Sequence, residues 1–160
     1  MSPVLRTLVF TILVAGLWTV ALPYWLLSPG LRPHLAGVGI AGALLVASGS
    51  ALYVTCAFWG FALRGQGTPA PIDPPKKLVV EGPYRFVRNP MYWSVVSVML
   101  GEAIVFRALS LALCAAGLFA GASLFVILYE EPVLRRKFGA AYEDYCRRVP
   151  RWLPHWPKSA

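Results

Sequence analysis

Long apolar segments alternate with short polar ones along the chain, and four apolar segments stand out. They cover residues 4–27, 35–63, 90–106 and 109–129. A helix needs roughly 20 consecutive apolar residues to cross a bilayer. The third segment is short of that length, so it requires a locally thinned bilayer or an extension through Leu109. The pattern predicts an all-α, polytopic membrane protein with about four transmembrane helices.

The first apolar segment outlasts the roughly 7–15 residues of a signal-peptide core, so we expect a retained helix. We therefore divide the chain into an N-terminal pair of transmembrane helices, residues 1–63, and a remainder, residues 64–160. The remainder contains a polar segment, the third and fourth helices and a cytoplasmic tail, and we expect the two parts to form one integrated domain.

The tail is predicted to be short, helical and amphipathic. Pro132 predicts a bend after the fourth apolar segment, and Gly139 predicts a break between short helices at 133–138 and 140–148. One face of the second short helix is apolar at helical spacing. We expect this face to lie against the membrane or the functional site; its residues are Tyr142, Tyr145 and Val149.

Composition agrees with a membrane protein, since 58% of residues are hydrophobic, 14% are charged and mean hydropathy is +0.60. Soluble proteins average about 25% charged residues. Of the 15 basic residues, only Arg32 and Arg107 would lie on one side of the membrane. The excess on the other side predicts that both termini and residues 64–89 are cytoplasmic. The net charge of +8 favours anionic membrane lipids as partners over nucleic acid.

Richness in Ala, Gly and Arg favours a bacterial inner membrane over the endoplasmic reticulum. Three cysteines and two histidines are scattered without ligand spacing, so we predict no metal site. Small residues in the second and fourth segments predict close helix packing. They are Gly37, Gly39, Gly42, Ser48 and Gly49, then Gly117, Gly121 and Ala122. Residues 65–75, rich in proline and glycine, predict a non-helical linker.

The third helix has a polar and aromatic start. Asn89 and Pro90 are residue types typical of the N-cap and the first helical position. Free N–H groups at such a start favour an anionic ligand group. Tyr92 and Trp93 share a helix face with Asn89, although aromatic residues also form belts at membrane interfaces.

The fourth apolar segment ends in the acidic pair Glu130 and Glu131. Carboxylates at a helix C-terminus oppose the helix dipole, so this placement calls for a cationic partner. A cationic ligand and the nearby Arg135 and Arg136 are the two alternatives. Glu102, inside the third segment, either pairs with Arg107 or lines a cavity.

Three motifs together resemble the isoprenylcysteine carboxyl methyltransferase family and, more loosely, phospholipid N-methyltransferases. They are KLVVEGPYRFVRNPMY, the acidic pair, and Phe138-Gly139 with the following Tyr142, Tyr145 and Val149-Pro150. The resemblance covers about residues 75–150, and the first two helices carry no recognisable family signal.

The resemblance implies a membrane enzyme that transfers a methyl group from S-adenosylmethionine to a lipophilic acceptor. By motif, the implied cofactor-binding residues are Lys76, Lys77, Leu78, Val79, Tyr84, Asn89, Pro90, Met91, Tyr92 and Glu130. Aromatic rings attract a sulfonium cation, Glu130 suits an ammonium or a ribose hydroxyl, and the helix start or Lys77 suits a carboxylate. An amine or hydroxyl acceptor also requires proton removal, for which Glu131 and Tyr142 are the predicted catalytic residues.

The chain departs from the family pattern at two positions. Asn89 replaces the usual His, and Val126 stands where an acceptor-binding Arg is usual. The second change speaks against a prenylcysteine-like carboxylate acceptor and leaves a lipid amine open. Two other functions remain as alternatives. One is an NADPH-dependent membrane reductase of the sterol reductase type, which shares an Arg-x-Pro-x-Tyr helix start, and the other is a non-catalytic membrane lipid-binding protein.

Overall fold

The computed structural model describes residues 2–27, 32–65 and 76–156, and the regular structure of these residues is entirely helical. Three helices are long and apolar enough to cross a membrane: α1 (Pro3–Leu26), α2 (Val38–Gly65) and α4 (Leu109–Phe138). The shorter apolar helix α3 (Pro90–Phe106) lies between α2 and α4 in the chain, and a surface helix α5 (Ala140–Arg148) follows α4. The predicted all-α polytopic membrane architecture is confirmed, including the shortness of the third segment.

Helices α2 and α3 pack with their backbones in close contact. A Cβ added to Gly42 would lie 2.8 Å from the Gly101 carbonyl oxygen, and one added to Gly101 would lie 2.6 Å from the Gly42 oxygen. A Cβ on Gly49 would likewise lie 2.8 Å from the Ser94 oxygen. Only glycine permits this approach, so the predicted packing role is confirmed for Gly42 and Gly49.

The same prediction is wrong for two glycines of α4. Gly117 and Gly121 are exposed, and a Cβ at either position would meet nothing within 4 Å in the described chain. Gly37 and Ser48 are also exposed. Glycine content along a helix does not reveal which side faces a neighbour, because that depends on the rotation of the helix in the bundle.

A two-residue turn joins α3 to α4. Arg107 takes a left-handed conformation at φ 51°, and Ala108 precedes the first residue of α4. So short a turn between helices makes neighbours antiparallel. The C-terminal part of α4 therefore returns to the membrane side on which α3 begins. This brings the acidic pair near the start of α3.

Helix α4 continues to Phe138, so the separate short helix predicted at 133–138 is instead the last part of α4, and the bend predicted at Pro132 stays a prediction. Pro132 falls in the first turn of the regular segment Glu131–Phe138, where a missing N–H costs little. The predicted break at Gly139 is confirmed by its φ of 53°. The apolar face of α5 packs against the protein, with Tyr142, Tyr145 and Val149 buried together. The predicted non-helical linker of residues 65–75 begins one residue too early, because Gly65 is the last residue of α2. Its other residues, 66–75, lie outside the described residues.

We expect Gly42→Ala to destabilise the protein, because its methyl group would overlap the Gly101 carbonyl oxygen. Overpacking of this kind costs about 1–3 kcal/mol. Thermal unfolding in detergent measures it as a lower midpoint. Gly121→Ala is the matched control, since its methyl group would meet nothing within 4 Å in the described chain, and it should keep or raise the midpoint because Ala is the better helix former. Equal midpoints for both variants would contradict the packing described here.

Candidate active site

Tyr84 is buried in a short helical turn, Gly82–Arg85, that precedes α3. Gly82 begins this turn at φ 59°, where a Cβ would lie 2.5 Å from the Trp59 ring. The Tyr145 hydroxyl donates to the Tyr84 carbonyl at 2.7 Å and so ties α5 to the turn. The Tyr84 ring meets Phe61 edge to face at 5.8 Å. Helices α2 and α5 therefore fix this turn from two sides.

Burial raises the pKa of the Tyr84 hydroxyl well above its ordinary value of 10.0. The hydroxyl lies beside the Cys56 thiol, a weak hydrogen-bonding group, and makes no other hydrogen bond among the described residues. A neutral, buried hydroxyl with so weak a partner is costly to the fold. It is therefore a group with which a bound ligand could pair.

Tyr92, near the start of α3, is hydrogen-bonded to Glu130 in the C-terminal part of α4. The Tyr92 hydroxyl donates to Glu130 Oε2 at 3.0 Å. Hydrogen bonds to a carboxylate are stronger than bonds between neutral groups. The start of α3 and the acidic pair, which are two of the motifs that carry the family resemblance, therefore meet at this hydrogen bond.

A partly open cavity of about 120 Å³ lies beside this pair. Five of the predicted cofactor-binding residues line it, namely Tyr84, Asn89, Met91, Tyr92 and Glu130. Arg88 adds a guanidinium to the polar end. The remaining wall is mainly apolar and comes from α1, α2, α3 and α4, with Phe10, Val14, Ala15, Trp18, Tyr53, Phe61, Val95 and Leu118. The cavity therefore combines polar side chains from the start of α3 and from α4 with a wall of apolar membrane-helix side chains.

The other predicted residues lie outside the cavity lining. Lys76 and Lys77 are exposed, and their backbone N–H groups donate to the Gly65 carbonyl at 2.8 and 3.2 Å. Val79 packs with Tyr84, whereas Leu78 packs with the α5 cluster. Pro90 is buried as the first residue of α3.

Glu131 faces away from Glu130, into a cluster of arginines. Arg151 donates two hydrogen bonds to the Glu131 carboxylate, from Nε to Oε1 at 2.6 Å and from Nη2 to Oε2 at 2.9 Å. Arg88 Nη1 lies 3.0 Å from Oε1, and Arg135 Nη2 lies 3.7 Å from Oε2. The Glu131 side chain is only 4% exposed. The sequence offered Arg135 and Arg136 as partners of the acidic pair, and the contact of Arg135 with Glu131 is confirmed. Arg151 and Arg88 lie closer to Glu131 than Arg135 does.

Tyr142, the second predicted catalytic residue, is buried in the α5 cluster. Burial raises the pKa of its hydroxyl, and nearby Cys146 and Glu131 add to the rise. Its hydroxyl is therefore protonated at neutral pH. It does not line the cavity described above.

Asn89 occupies the predicted N-cap position of α3, but its side chain does not cap the helix. Its amide Nδ2 instead donates to the Arg151 carbonyl at 3.1 Å. The sequence preference was correct for the helix boundary and wrong for the contact. A cap would use the side-chain Oδ1 as an acceptor, whereas the observed bond uses Nδ2 as a donor.

Sequence reasoning missed Arg88 and Arg151 as partners of the acidic pair, and it missed the α1 residues of the cavity. Both arginines were assigned only to the basic cytoplasmic side. Arg88 directly precedes Asn89, which places it at the site, but no spacing signal links Arg151 to Glu131. Glu102 Oε2 is buried, and within the described ranges no hydrogen-bond partner is found for it.

The family model for phospholipid methyltransferases matches residues 38–141. The chain belongs to this phospholipid methyltransferase family. The match begins with α2, so the expectation that the first two helices lack a family signal is wrong for α2. It includes the turn at Tyr84, the start of α3 and the acidic pair, and it ends within α5.

Protein-S-isoprenylcysteine O-methyltransferase B of Arabidopsis thaliana is 39% identical over 84 residues. The alignment covers 49% of this chain and 40% of the plant protein, so the chain spans well under two thirds of this relative. No solved structure gives a significant match. The resemblance read from the motifs is confirmed by both matches. Among the residues that the structure describes, no group of three or more His, Cys, Asp or Glu side chains could hold a metal ion.

We expect Tyr145→Phe to destabilise the protein, because it removes the donor to the Tyr84 carbonyl while preserving ring packing. An unsatisfied buried group costs about 1–3 kcal/mol. The thermal midpoint in detergent should fall accordingly. Tyr129→Phe removes a hydroxyl from an exposed side chain of α4 and should have no effect. A fall of similar size in both variants would argue against the role of this bond.

Proposed function

We propose that this protein is a membrane methyltransferase that uses S-adenosylmethionine and acts on a lipophilic acceptor. Family membership supports methyl transfer. The observation that carries the proposal is the Tyr92–Glu130 pair at the polar end of a cavity with an otherwise apolar wall.

The residues around the cavity fit such a cofactor chemically. S-adenosylmethionine carries a sulfonium, an ammonium and a carboxylate. Tyr84 and Tyr92 offer aromatic rings of the kind that attract cations, and Glu130 offers a carboxylate to an ammonium or a ribose hydroxyl. The carboxylate of the cofactor is left to the free N–H groups at the start of α3 or to Lys77, because Arg88 is already paired with Glu131. When bound, the cofactor supplies an activated methyl group.

The size of the cavity supports a role for it at the reactive end of the site. Pockets that enclose whole drug-sized ligands have volumes of roughly 300–1,000 Å³. A cavity of about 120 Å³ suits the methyl-bearing group and the acceptor atom rather than an entire nucleoside cofactor. The contribution of Lys76, Lys77, Leu78 and Val79, which lie outside this cavity, stays a prediction from the family motif, as does that of Pro90.

The chain's part in the reaction is to align the reacting groups and keep water away. Methyl transfer disperses positive charge rather than creating it, so alignment matters more than acid or base chemistry. Good positioning alone supplies roughly 7–11 kcal/mol in well-oriented reactions. The apolar wall from α1 and α2 excludes water, and Tyr92 holds Glu130 in place. Proton removal by Glu131 or Tyr142 from an amine or hydroxyl acceptor stays a prediction.

The apolar wall also supports a lipophilic acceptor. Val126, which replaces the usual arginine, is 1% exposed and supplies no charge for an acceptor carboxylate. We therefore favour a lipid amine over a prenylcysteine-like carboxylate. The cytoplasmic location of both termini stays a prediction, as does the preference for a bacterial inner membrane; the relative named above is a plant protein.

Calorimetric binding of S-adenosylhomocysteine to the detergent-purified protein tests the cofactor. We expect Glu130→Gln to weaken binding by about 10- to 150-fold, because losing a charged hydrogen-bond partner costs roughly 1.5–3 kcal/mol. Glu143→Gln removes the same charge from exposed α5 and should leave the dissociation constant unchanged.

Tyr92→Phe distinguishes this site from the non-catalytic alternative. It retains the ring but loses the bond to Glu130, so we expect weaker binding than in the unchanged protein and a smaller loss than in Glu130→Gln. Unchanged binding in both variants, with stability alone altered, would show that this pair is not the cofactor site. Binding of neither S-adenosylhomocysteine nor NADPH by the folded protein would favour a non-catalytic lipid-binding protein. No binding of S-adenosylhomocysteine but binding of NADPH would favour the reductase alternative.

Transfer of a radiolabelled methyl group identifies the acceptor class. Purified protein in vesicles should label a phospholipid with a primary or secondary amine headgroup. We expect little label on a prenylcysteine analogue, because Arg88 is the only cation among the described residues of the cavity lining and is already paired with Glu131. Preferred labelling of the prenylcysteine carboxylate would overturn the choice of acceptor while leaving methyl transfer intact.

A further inference from the structure

The segment of residues 150–156, which we term the tail segment, lies across the start of α3. Three consecutive carbonyls of the tail segment accept hydrogen bonds from this start. The Pro150 oxygen accepts from the Arg88 backbone N–H at 2.9 Å, and the Arg151 oxygen accepts from Asn89 Nδ2 at 3.1 Å. The Trp152 oxygen accepts from Trp93 Nε1 at 2.8 Å. The tail segment is therefore in register with the helix start.

The Arg151 side chain provides the strongest single contact of the tail segment. Its fork binds both oxygens of Glu131, the geometry in which arginine and a carboxylate attract most specifically. Glu131 belongs to α4, whereas the three carbonyl contacts lead to α3. Arg151 thus joins the tail segment to both helices that form the polar end of the cavity.

Trp152 follows Arg151 directly and reaches the site. Its ring lies 6.2 Å from the Tyr92 ring and 4.9 Å from the Phe119 ring, centroid to centroid. Tyr92 in turn donates its hydroxyl to Glu130. A continuous series of contacts therefore leads from Glu131 through Arg151 and Trp152 to the Tyr92–Glu130 pair. Fixed rings beside a site restrict the rotamers of the side chains they touch.

We propose that Arg151 is a positioning residue, whose two-point ion pair with Glu131 holds Trp152 against Tyr92 and so orients the Tyr92–Glu130 pair. This inference rests on the proposed function for its consequence in cofactor binding. Whether Arg151 holds the Trp152 ring in place does not depend on the proposed function, because it can be measured without any cofactor.

Loss of Arg151 does not leave the Glu131 carboxylate without a cationic partner. Arg88 remains 3.0 Å from Glu131, so the buried carboxylate keeps a cationic partner. Removal of one partner from a buried ion pair is most damaging when the other charge is left alone. Arg151→Gln should therefore fold, and a thermal midpoint in detergent provides the check.

Acrylamide quenching of tryptophan fluorescence tests the holding of Trp152. The fluorescence of Trp152 is obtained by subtracting the emission of a variant that also carries Trp152→Phe from the emission of the same protein with Trp152 intact. We expect this contribution to be quenched at least twice as efficiently in Arg151→Gln as in the unchanged protein. Arg148→Gln, which removes the same charge from an exposed position of α5, should not alter it. Unchanged quenching in Arg151→Gln would overturn the proposal.

Binding of S-adenosylhomocysteine tests the effect on the site. We expect Arg151→Gln to raise the dissociation constant about tenfold and Arg151→Lys, which keeps the charge but loses the fork, to raise it less. Arg148→Gln should bind as the unchanged protein does. In a Tyr92→Phe background, Arg151→Gln should cost less than threefold, because the hydroxyl that it positions is already gone.

Equal losses with and without Tyr92→Phe would overturn the positioning of Tyr92 and would leave Arg151 with a merely structural role. If the unchanged protein binds no S-adenosylhomocysteine, the proposed function fails, and the consequence for cofactor binding fails with it. The quenching measurement still decides in that case whether Arg151 holds Trp152. The two failures are therefore distinguishable.

Discussion

The site depends on two neighbouring carboxylates that face different partners. Adjacent residues on a helix point in directions that differ by roughly 100°. Glu130 therefore meets Tyr92 beside the cavity, while Glu131, which does not line the cavity, meets Arg151 and Arg88. Placed together, two such acids would repel each other and raise the cost of burial. Separated in this way, one is left for a ligand and the other binds the helices and the tail segment together. The acidic pair is thus both a candidate ligand contact and a structural junction.

The cavity beside Glu130 can exist because the helices around it are held elsewhere. The glycines of α2 and α3 allow backbone contact along most of that interface. The two-residue turn after α3 keeps α4 alongside, and the Tyr145 hydroxyl fastens α5 to the Tyr84 turn. Tight packing at these contacts leaves the small space near Tyr92 bounded by rigid elements. Such an arrangement suits a reaction that relies on alignment more than on proton transfer.

The candidate site was only partly predictable from the sequence. Five of the ten predicted cofactor-binding residues line the cavity, because the helix start and the acidic pair were identified from their motifs. The acidic pair lies inside α4, which runs on to Phe138, so its predicted place at a helix C-terminus is wrong. Asn89 shows where local preference stops being informative. Its residue type indicated an N-cap, but its amide bonds to a carbonyl 62 residues later in the chain. The contribution of Phe10, Val14 and Trp18 from α1 was also beyond reach, since apolar helix residues look alike whether they face lipid or a cavity.

The sequence by itself determined the membrane class, the number of apolar helices and the identity of the polar motifs. These properties follow from lengths of apolar residues and from short-range spacing, which are local. Tertiary structure alone decided which glycines pack, which carboxylate faces the cavity and which arginine binds the other. Gly42 and Gly121 are the same residue in similar apolar helices, yet only Gly42 touches a neighbouring backbone. Helix rotation and the path of the tail segment set these contacts, and both result from packing summed over the whole bundle rather than from any local pattern.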